Sequence, residues 1–186
     1  MRMKSFAAFA ATAVLTVSAL ANGPVPRPAP NLDFVDANGN HIMLSSYRGK
    51  VVVIQFLLTT CSHCQAFSGV LSKMQAELGP RGFQALGVAW NAMEDPKVPA
   101  AQMVRDYASK YATDFPVGYD AHEPILAFLG DSVLDRLGFP QVVVVDKKGV
   151  IRAQSDLIGT SELQDEAYLR RFIGGLLEGA TIRRKP

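Results

Sequence analysis

Cysteine is scarce in this chain, with two residues among 186, so a small scaffold held together by many disulfides is excluded. Neither sign of charge dominates, because 19 lysines and arginines stand against 17 acidic residues. The basic tail at 183–185 is short, so the chain lacks the strongly basic surface that DNA or RNA binding requires. The composition, 48% hydrophobic and 19% charged, instead suits one packed domain.

The first 21 residues have no acidic side chain and are typical of a targeting segment. Arg2 and Lys4 give a positive start, residues 5–21 are small or apolar, and residues 19–21 match a small-x-small cleavage pattern. The pattern predicts a cleaved signal peptide at 1–21, with an uncleaved membrane anchor as the alternative. The mature chain is then exported, to the periplasm if the source is Gram-negative, and carries no integral membrane span. Outside the cytosol, a cysteine pair serves either as a structural crosslink or as a redox centre.

Prolines alternate through residues 22–30, which predicts an extended linker before a single domain at 31–186. Apolar and β-branched runs alternate in that domain with amphipathic stretches of helical period. The patterns predict strands at 32–35, 42–44, 51–58, 83–89, 142–145 and 150–153, and helices at 64–78, 100–111 and 169–177. A capping box of Ser161 and Gln164 is expected to open the last helix. This order is typical of an α/β fold with a central mixed β-sheet flanked by helices.

The residues that can carry chemistry are concentrated in Cys61-Ser62-His63-Cys64, between a buried strand and a helix. At a helix N-terminus, unpaired N–H groups and the macrodipole favour a thiolate, here that of Cys61. Residues three apart share a helix face, so Cys64 can reach Cys61 and form a disulfide with it. One thiolate of such a pair attacks a substrate disulfide, and the other resolves the mixed disulfide. Partial positive charge on His63 would favour the Cys61 thiolate and make the disulfide a stronger oxidant.

Other roles for the two cysteines have less support in the sequence. A disulfide that closes so short a loop restrains the unfolded chain little, so a purely structural crosslink would add little stability. A structural zinc site needs four ligands, and the chain has no second cysteine pair. His41 and His122 are isolated in the sequence and are interpreted as surface or turn residues, so no metal is expected. A redox cysteine pair is expected to act without a bound cofactor. An inert pair left in a divergent scaffold is the remaining alternative.

Several segments together resemble the exported thioredoxin-like redoxins of the TlpA/ResA type, within the AhpC/TSA–redoxin superfamily. These segments are 29–34, 36–39, 44–64, 115–117, Asp120, 137–146 and Gly149. Each is modest alone, but their order and spacing are specific over about residues 29–178. The resemblance implies a thioredoxin fold with an N-terminal β-hairpin extension and a central insertion. It also implies a thiol:disulfide oxidoreductase that acts on cysteines of other exported proteins. A membrane or periplasmic donor would supply electrons to this oxidoreductase.

The resemblance also implies roles for individual residues of this chain. Cys61 is the exposed nucleophile, and Cys64 is the resolving thiol of a redox-active Cys61–Cys64 disulfide. Pro140 falls where the family has a cis proline, which would place the Phe139 backbone beside Cys61, ready to pair with an extended substrate. Gln55 occupies a strand position where relatives carry a buried Asp or Asn, and it can orient Cys64 or a water by hydrogen bonding.

The chain departs from the family beside the cysteines. Thr60, Phe67 and Gly69 stand where relatives usually carry Trp, Glu and Pro. The disulfide chemistry survives these changes, but the partner, the redox potential and the direction of exchange are not determined by the sequence.

Two other functional classes share this fold. Thiol peroxidases of the AhpC/TSA class carry Pro-x-x-x-Thr-x-x-Cys, whereas Leu58 stands three residues before Cys61. Without the Thr hydroxyl, a peroxide loses an orienting hydrogen bond. Copper-assembly proteins of the Sco type use two cysteines separated by three residues and a distant histidine. Here two residues intervene and His122 is the candidate third ligand. Disulfide exchange is therefore the preferred prediction, with peroxidase activity as the main alternative.

Overall fold

The computed structural model describes residues 23–112, 114–159 and 161–179, so the predicted signal peptide at 1–21 lies outside the described residues. The strands are β1 Arg27–Pro28, β2 Asp33–Asp36, β3 His41–Met43, β4 Val51–Leu57, β5 Phe83–Ala89, β6 Val117–Tyr119, β7 Gln141–Val145 and β8 Val150–Gln154. The helices are α1 Ser62–Leu78, α2 Ala100–Tyr111, α3 His122–Leu129 and α4 Glu166–Leu177. Among these described helices, none is long and apolar enough to cross a membrane.

The strands form one eight-stranded sheet in the order β1-β8-β7-β4-β5-β6-β2-β3. β4, β5 and β6 run parallel, and antiparallel strands continue the sheet on both sides of them. All of β4 is buried, because its nearly continuous apolar sequence is covered on both faces. The predicted α/β fold with a central mixed sheet and flanking helices is confirmed.

Alternate residues of β4 face two different cores. Val53 and Leu57 pack with α1, α2 and α4 on one face of the sheet. Ile54 and Phe56 pack on the other face with α3 and with the strands near the N-terminus. The strand period of two therefore places Gln55 on the face that α1 covers, beneath the cysteine pair.

The predicted N-terminal hairpin consists of β2 and β3, and it extends the sheet because β2 also pairs with β6. The segment between β5 and α3 contributes α2 and β6, which correspond to the implied central insertion. The periodicity did not predict β6 or α3. β6 has only three residues, and α3 has eight. Pro124 lies in the first turn of α3, where N–H groups have no acceptor within the helix, so the missing N–H of proline removes no helical hydrogen bond.

The proline-rich segment predicted as a linker is attached to the sheet. β1 pairs with β8, and the Arg27 guanidinium donates to the carbonyl of Phe128 at 3.2 Å and to Gln154 Oε1 at 2.7 Å. Packed structure therefore begins before residue 31.

The capping box predicted for the last helix is wrong. Ser161 caps a short 3-10 turn, and Asp165 caps α4 by accepting from the Tyr168 N–H. The side chain of Gln164 donates instead to the carbonyls of Pro140 and Gly159, so it is not free to reach back to a helix start.

Candidate active site

Cys61 occupies the N-cap position of α1. Its backbone is extended, with φ −83° and ψ 117°, and its sulfur accepts a hydrogen bond from the Cys64 N–H at 3.3 Å. The sulfur thereby satisfies one of the N–H groups that the start of a helix leaves unpaired. The Cys61 side chain is half-buried, so it can still be reached from solvent. A reachable sulfur that accepts from a helix N–H suits a nucleophilic thiolate.

Cys64 lies in the first turn of α1 and is fully buried. Burial first, and then the hydrogen bond with the Cys61 thiol, raise the pKa of Cys64 well above its ordinary value. Both cysteines are free thiols in this structure. The two sulfurs therefore differ, since one is reachable and the other is buried and protonated. A nucleophile and a resolving thiol need this asymmetry.

Three polar side chains form a connected row behind Cys64. Gln55 donates through Nε2 to the Cys64 carbonyl at 2.9 Å, and its Oε1 accepts from Ser68 Oγ at 2.7 Å. Ser68 Oγ also lies 2.8 Å from the hydroxyl of Tyr107 in α2, and burial raises the pKa of that hydroxyl. The predicted contact between Gln55 and Cys64 is therefore made to the backbone carbonyl rather than to the thiol.

The Phe139–Pro140 peptide bond is cis, as the resemblance implied. The carbonyl oxygen of Phe139 lies 3.9 Å from Cys61 Sγ. Gln141, at the start of β7, donates through Nε2 to the Gly138 carbonyl at 2.9 Å. This bond ties the segment that borders Cys61 to the first residue of a buried strand, and so fixes where the Phe139 carbonyl lies.

The only tryptophan of the chain, Trp90, follows β5 and borders the same site. Its ring lies 5.6 Å from the ring of Phe139 and stacks on His122 at 3.9 Å. The next residue, Asn91, accepts through Oδ1 from the Thr59 N–H at 2.9 Å. The end of β5 therefore supports both the loop before the cysteine pair and the residue before the cis proline.

The fold places most of the predicted site residues in one region. Those brought together are Cys61, Cys64, Gln55, Phe139 and Pro140. His63 lies in the same turn of α1 with its side chain exposed. His122 lies 3.2 Å from Glu94, and within the described ranges no group of three or more His, Cys, Asp or Glu side chains could hold a metal. Among the described residues, His122 is therefore not grouped with the two cysteines as a copper site would require.

Sequence reasoning missed Ser68, Trp90 and Tyr107. The helical period places Tyr107 among apolar residues, where an aromatic ring predicts only core packing. The available signal was the Ser68 hydroxyl on the buried face of α1, because a buried polar group requires a partner.

Comparisons with known proteins agree with this geometry. The model of the AhpC/TSA family matches residues 25–154. The thiol-disulfide oxidoreductase ResA of Bacillus thuringiensis (strain Al Hakam) is 25% identical over 149 residues, which cover 80% of this chain and 78% of ResA. The probable glutathione peroxidase 8-B of Xenopus laevis is 30% identical over 108 residues, which cover 54% of this chain and 51% of that protein.

Among solved structures, a thiol:disulfide interchange protein of the thioredoxin family from Chlorobium tepidum aligns with a TM-score of 0.65. The two chains are 24% identical, and the alignment covers 83% of this chain and 99% of the other. This likeness confirms the predicted thioredoxin fold.

Proposed function

The chain belongs to the AhpC/TSA family and is a thiol:disulfide oxidoreductase, and we propose that it exchanges disulfides with other exported proteins through Cys61 and Cys64. The asymmetry of the two sulfurs carries this proposal. Cys61 is reachable and accepts from the Cys64 N–H at 3.3 Å, whereas Cys64 is fully buried in the same helical turn. In such a pair, one sulfur attacks the substrate disulfide and the other resolves the mixed disulfide that forms.

In the reducing direction, the Cys61 thiolate attacks one sulfur of a substrate disulfide. The other substrate sulfur leaves as a thiolate and takes up a proton, and a Cys61–substrate mixed disulfide remains. Cys64 then loses its proton and attacks the Cys61 sulfur, so a Cys61–Cys64 disulfide forms and the second substrate thiolate is released. The substrate is reduced by two electrons and the protein dithiol is oxidised, and the reverse sequence oxidises a substrate dithiol.

The segment around the cis proline is the proposed contact for the substrate chain. The Phe139 carbonyl, 3.9 Å from Cys61 Sγ, offers an acceptor to an extended peptide. The backbone of Ile158 lies against Gly138, and this apolar residue is 69% exposed. A substrate segment with an apolar side chain beside its cysteine would fit this surface, which suits brief contact with several protein partners.

Export is part of the proposal and rests on the sequence at 1–21, with its positive start, its apolar stretch and its small residues before the expected cleavage. The partners are then exported protein thiols and disulfides, and a membrane or periplasmic donor would return the electrons. We propose neither a nucleic-acid partner nor a bound cofactor.

Substitution of each cysteine tests the proposed roles. Cys61→Ser should abolish turnover, and Cys64→Ser should accumulate mixed disulfides through Cys61, which non-reducing electrophoresis and mass spectrometry detect. If Cys61→Ser accumulates adducts and Cys64→Ser does not, the two roles are reversed.

The reduction potential of the pair tests whether a two-electron couple exists and in which direction it operates. A value near that of DsbA, about −120 mV, indicates an oxidant, and a value near that of thioredoxin, about −270 mV, indicates a reductant. Alkylation and mass spectrometry across glutathione or dithiothreitol buffers measure it. If no reversible couple appears and Cys61 over-oxidises instead, disulfide exchange is refuted, and peroxide reduction and copper titration are the assays to run.

A further inference from the structure

The hydrogen bonds behind Cys64 have a single direction. Ser68 Oγ donates its one hydrogen to Gln55 Oε1, so the Tyr107 hydroxyl must donate to Ser68 Oγ. Gln55 Nε2 then donates to the Cys64 carbonyl. Each side-chain nitrogen and oxygen in this row makes at least one hydrogen bond, and the row ends on the residue that carries the buried thiol.

The row joins three separate elements, because Gln55 belongs to β4, Ser68 to α1 and Tyr107 to the inserted helix α2. Gln55 and Ser68 have no exposed surface, and Tyr107 is 3% exposed. A phenylalanine ring would fill the same apolar space as Tyr107, so packing alone does not require the hydroxyl. In a site of such low polarity, a hydrogen-bonded network restricts the movement of its members.

Resting on the disulfide exchange proposed above, we propose that Tyr107 is a positioning residue for the step in which Cys64 resolves the mixed disulfide. Through Ser68 and Gln55, its hydroxyl fixes the Cys64 carbonyl and hence the first turn of α1. The inserted helix therefore has a role in the reaction although Tyr107 touches neither the substrate nor the reacting sulfurs through its hydrogen bonds.

The resolving step shows why position matters here. The Cys64 sulfur loses its proton and forms a bond to the Cys61 sulfur, while the bond from Cys61 to the substrate sulfur breaks and the substrate leaves as a thiolate. Gln55, Ser68 and Tyr107 are neutral, so the row takes no proton and contributes geometry alone. Holding reacting groups in line raises the rate of such a ring closure, and a small misplacement lowers it.

Reaction of the full-length reduced protein with a chromogenic aryl disulfide separates attack by Cys61 from resolution by Cys64, because each step releases a coloured thiolate. Attack by Cys61 releases one coloured thiolate at a rate that depends on reagent concentration. Resolution by Cys64 releases a second at a rate that does not. Removing the hydroxyl with Tyr107→Phe should slow the second phase about three- to tenfold, as loss of one hydrogen bond predicts, and leave the first phase unchanged.

Tyr111→Phe is the matched control, because Tyr111 lies one turn along the same helix with its ring 5.3 Å from that of Tyr107. It should change neither phase. If Tyr107→Phe resolves at the wild-type rate, or slows both phases equally, the positioning role is refuted.

A second variant keeps the test decisive if Tyr107→Phe folds poorly. Ser68→Ala cuts the same row and should slow the same phase. When the two changes are combined, the resolving rate should fall no further than with Ser68→Ala alone, because both act through one chain of bonds. Additive losses would refute the connection. A wild-type protein that releases only one thiolate would instead refute disulfide exchange itself, so the two failures are distinguishable.

Discussion

Gly138→Ala is the substitution whose effect the structure defines most sharply. A Cβ at this position would lie 1.9 Å from the carbonyl oxygen of Ile158, whereas a carbon and a carbonyl oxygen in contact lie about 3.3 Å apart. The two segments must therefore separate by roughly 1.4 Å. They are joined by the Gly138 N–H bond to the Leu157 carbonyl at 2.7 Å, so separation breaks that bond or moves the Phe139 carbonyl away from Cys61.

The expected loss of folding free energy is about 1–3 kcal/mol, typical of overpacking at a tightly packed site. For a chain of this size, Tm should fall by about 2–4 °C for each kcal/mol. Turnover should fall by more than stability explains, on the order of a hundredfold, because a displacement of about 1 Å is enough to misalign a reacting group. Calorimetry measures the first effect, and reduction of a peptide disulfide at a temperature where both proteins are folded measures the second.

Gly69→Ala in α1 is the control, since a Cβ there meets no atom within 4 Å. It should stabilise the protein by about 1 kcal/mol through helix propensity and leave turnover unchanged. Wild-type turnover in Gly138→Ala would show that the position of the Phe139 segment does not govern the reaction, and the reasoning above would be refuted.

Three further outcomes are expected. The raised pKa of Cys64 means that the folded protein keeps a proton that the unfolded chain loses near pH 8.5, so the stability of the reduced form should be full below that pH and fall above it, by at most about 1.4 kcal/mol per pH unit. Denaturant unfolding measures this fall, and a fall of the same size in Cys64→Ala would contradict its assignment to Cys64. Gln55→Leu removes the amide that bonds the Cys64 carbonyl and the Ser68 hydroxyl, so it should lower the free energy of unfolding by about 2–4 kcal/mol in the same assay. An unfolding midpoint equal to that of the wild type would contradict this prediction. His63→Ala should make the reduction potential more negative if the imidazole favours the Cys61 thiolate, and an unchanged potential would remove His63 from the tuning of the pair.

The sequence predicted the parts of the fold that long patterns specify. β4 and β5 are continuous apolar runs, and α1 and α2 carry long apolar faces, so each element was identifiable alone. β6 has three residues and exists because β5 and β2 pair with it on either side. Local spacing predicts the Gln164 side chain at a helix start. In the structure it donates instead to the Pro140 carbonyl, in the cis-proline segment, and to the Gly159 carbonyl. Such outcomes depend on which segments the topology brings together, and no local pattern contains that information.

The same distinction applies to the site. The placement of Cys61 and Cys64 at the start of α1 and the cis bond before Pro140 could be predicted, because a short motif specifies the first and a segment matched to the family specifies the second. Tyr107 could not be predicted, because nothing within a turn of it indicates that its hydroxyl would meet Ser68, 39 positions away along the chain. The buried serine does constrain the answer, since a hydroxyl enclosed by apolar neighbours must find a partner on another element. A polar residue inside an apolar helix face therefore indicates that a partner exists, and the folded topology identifies it.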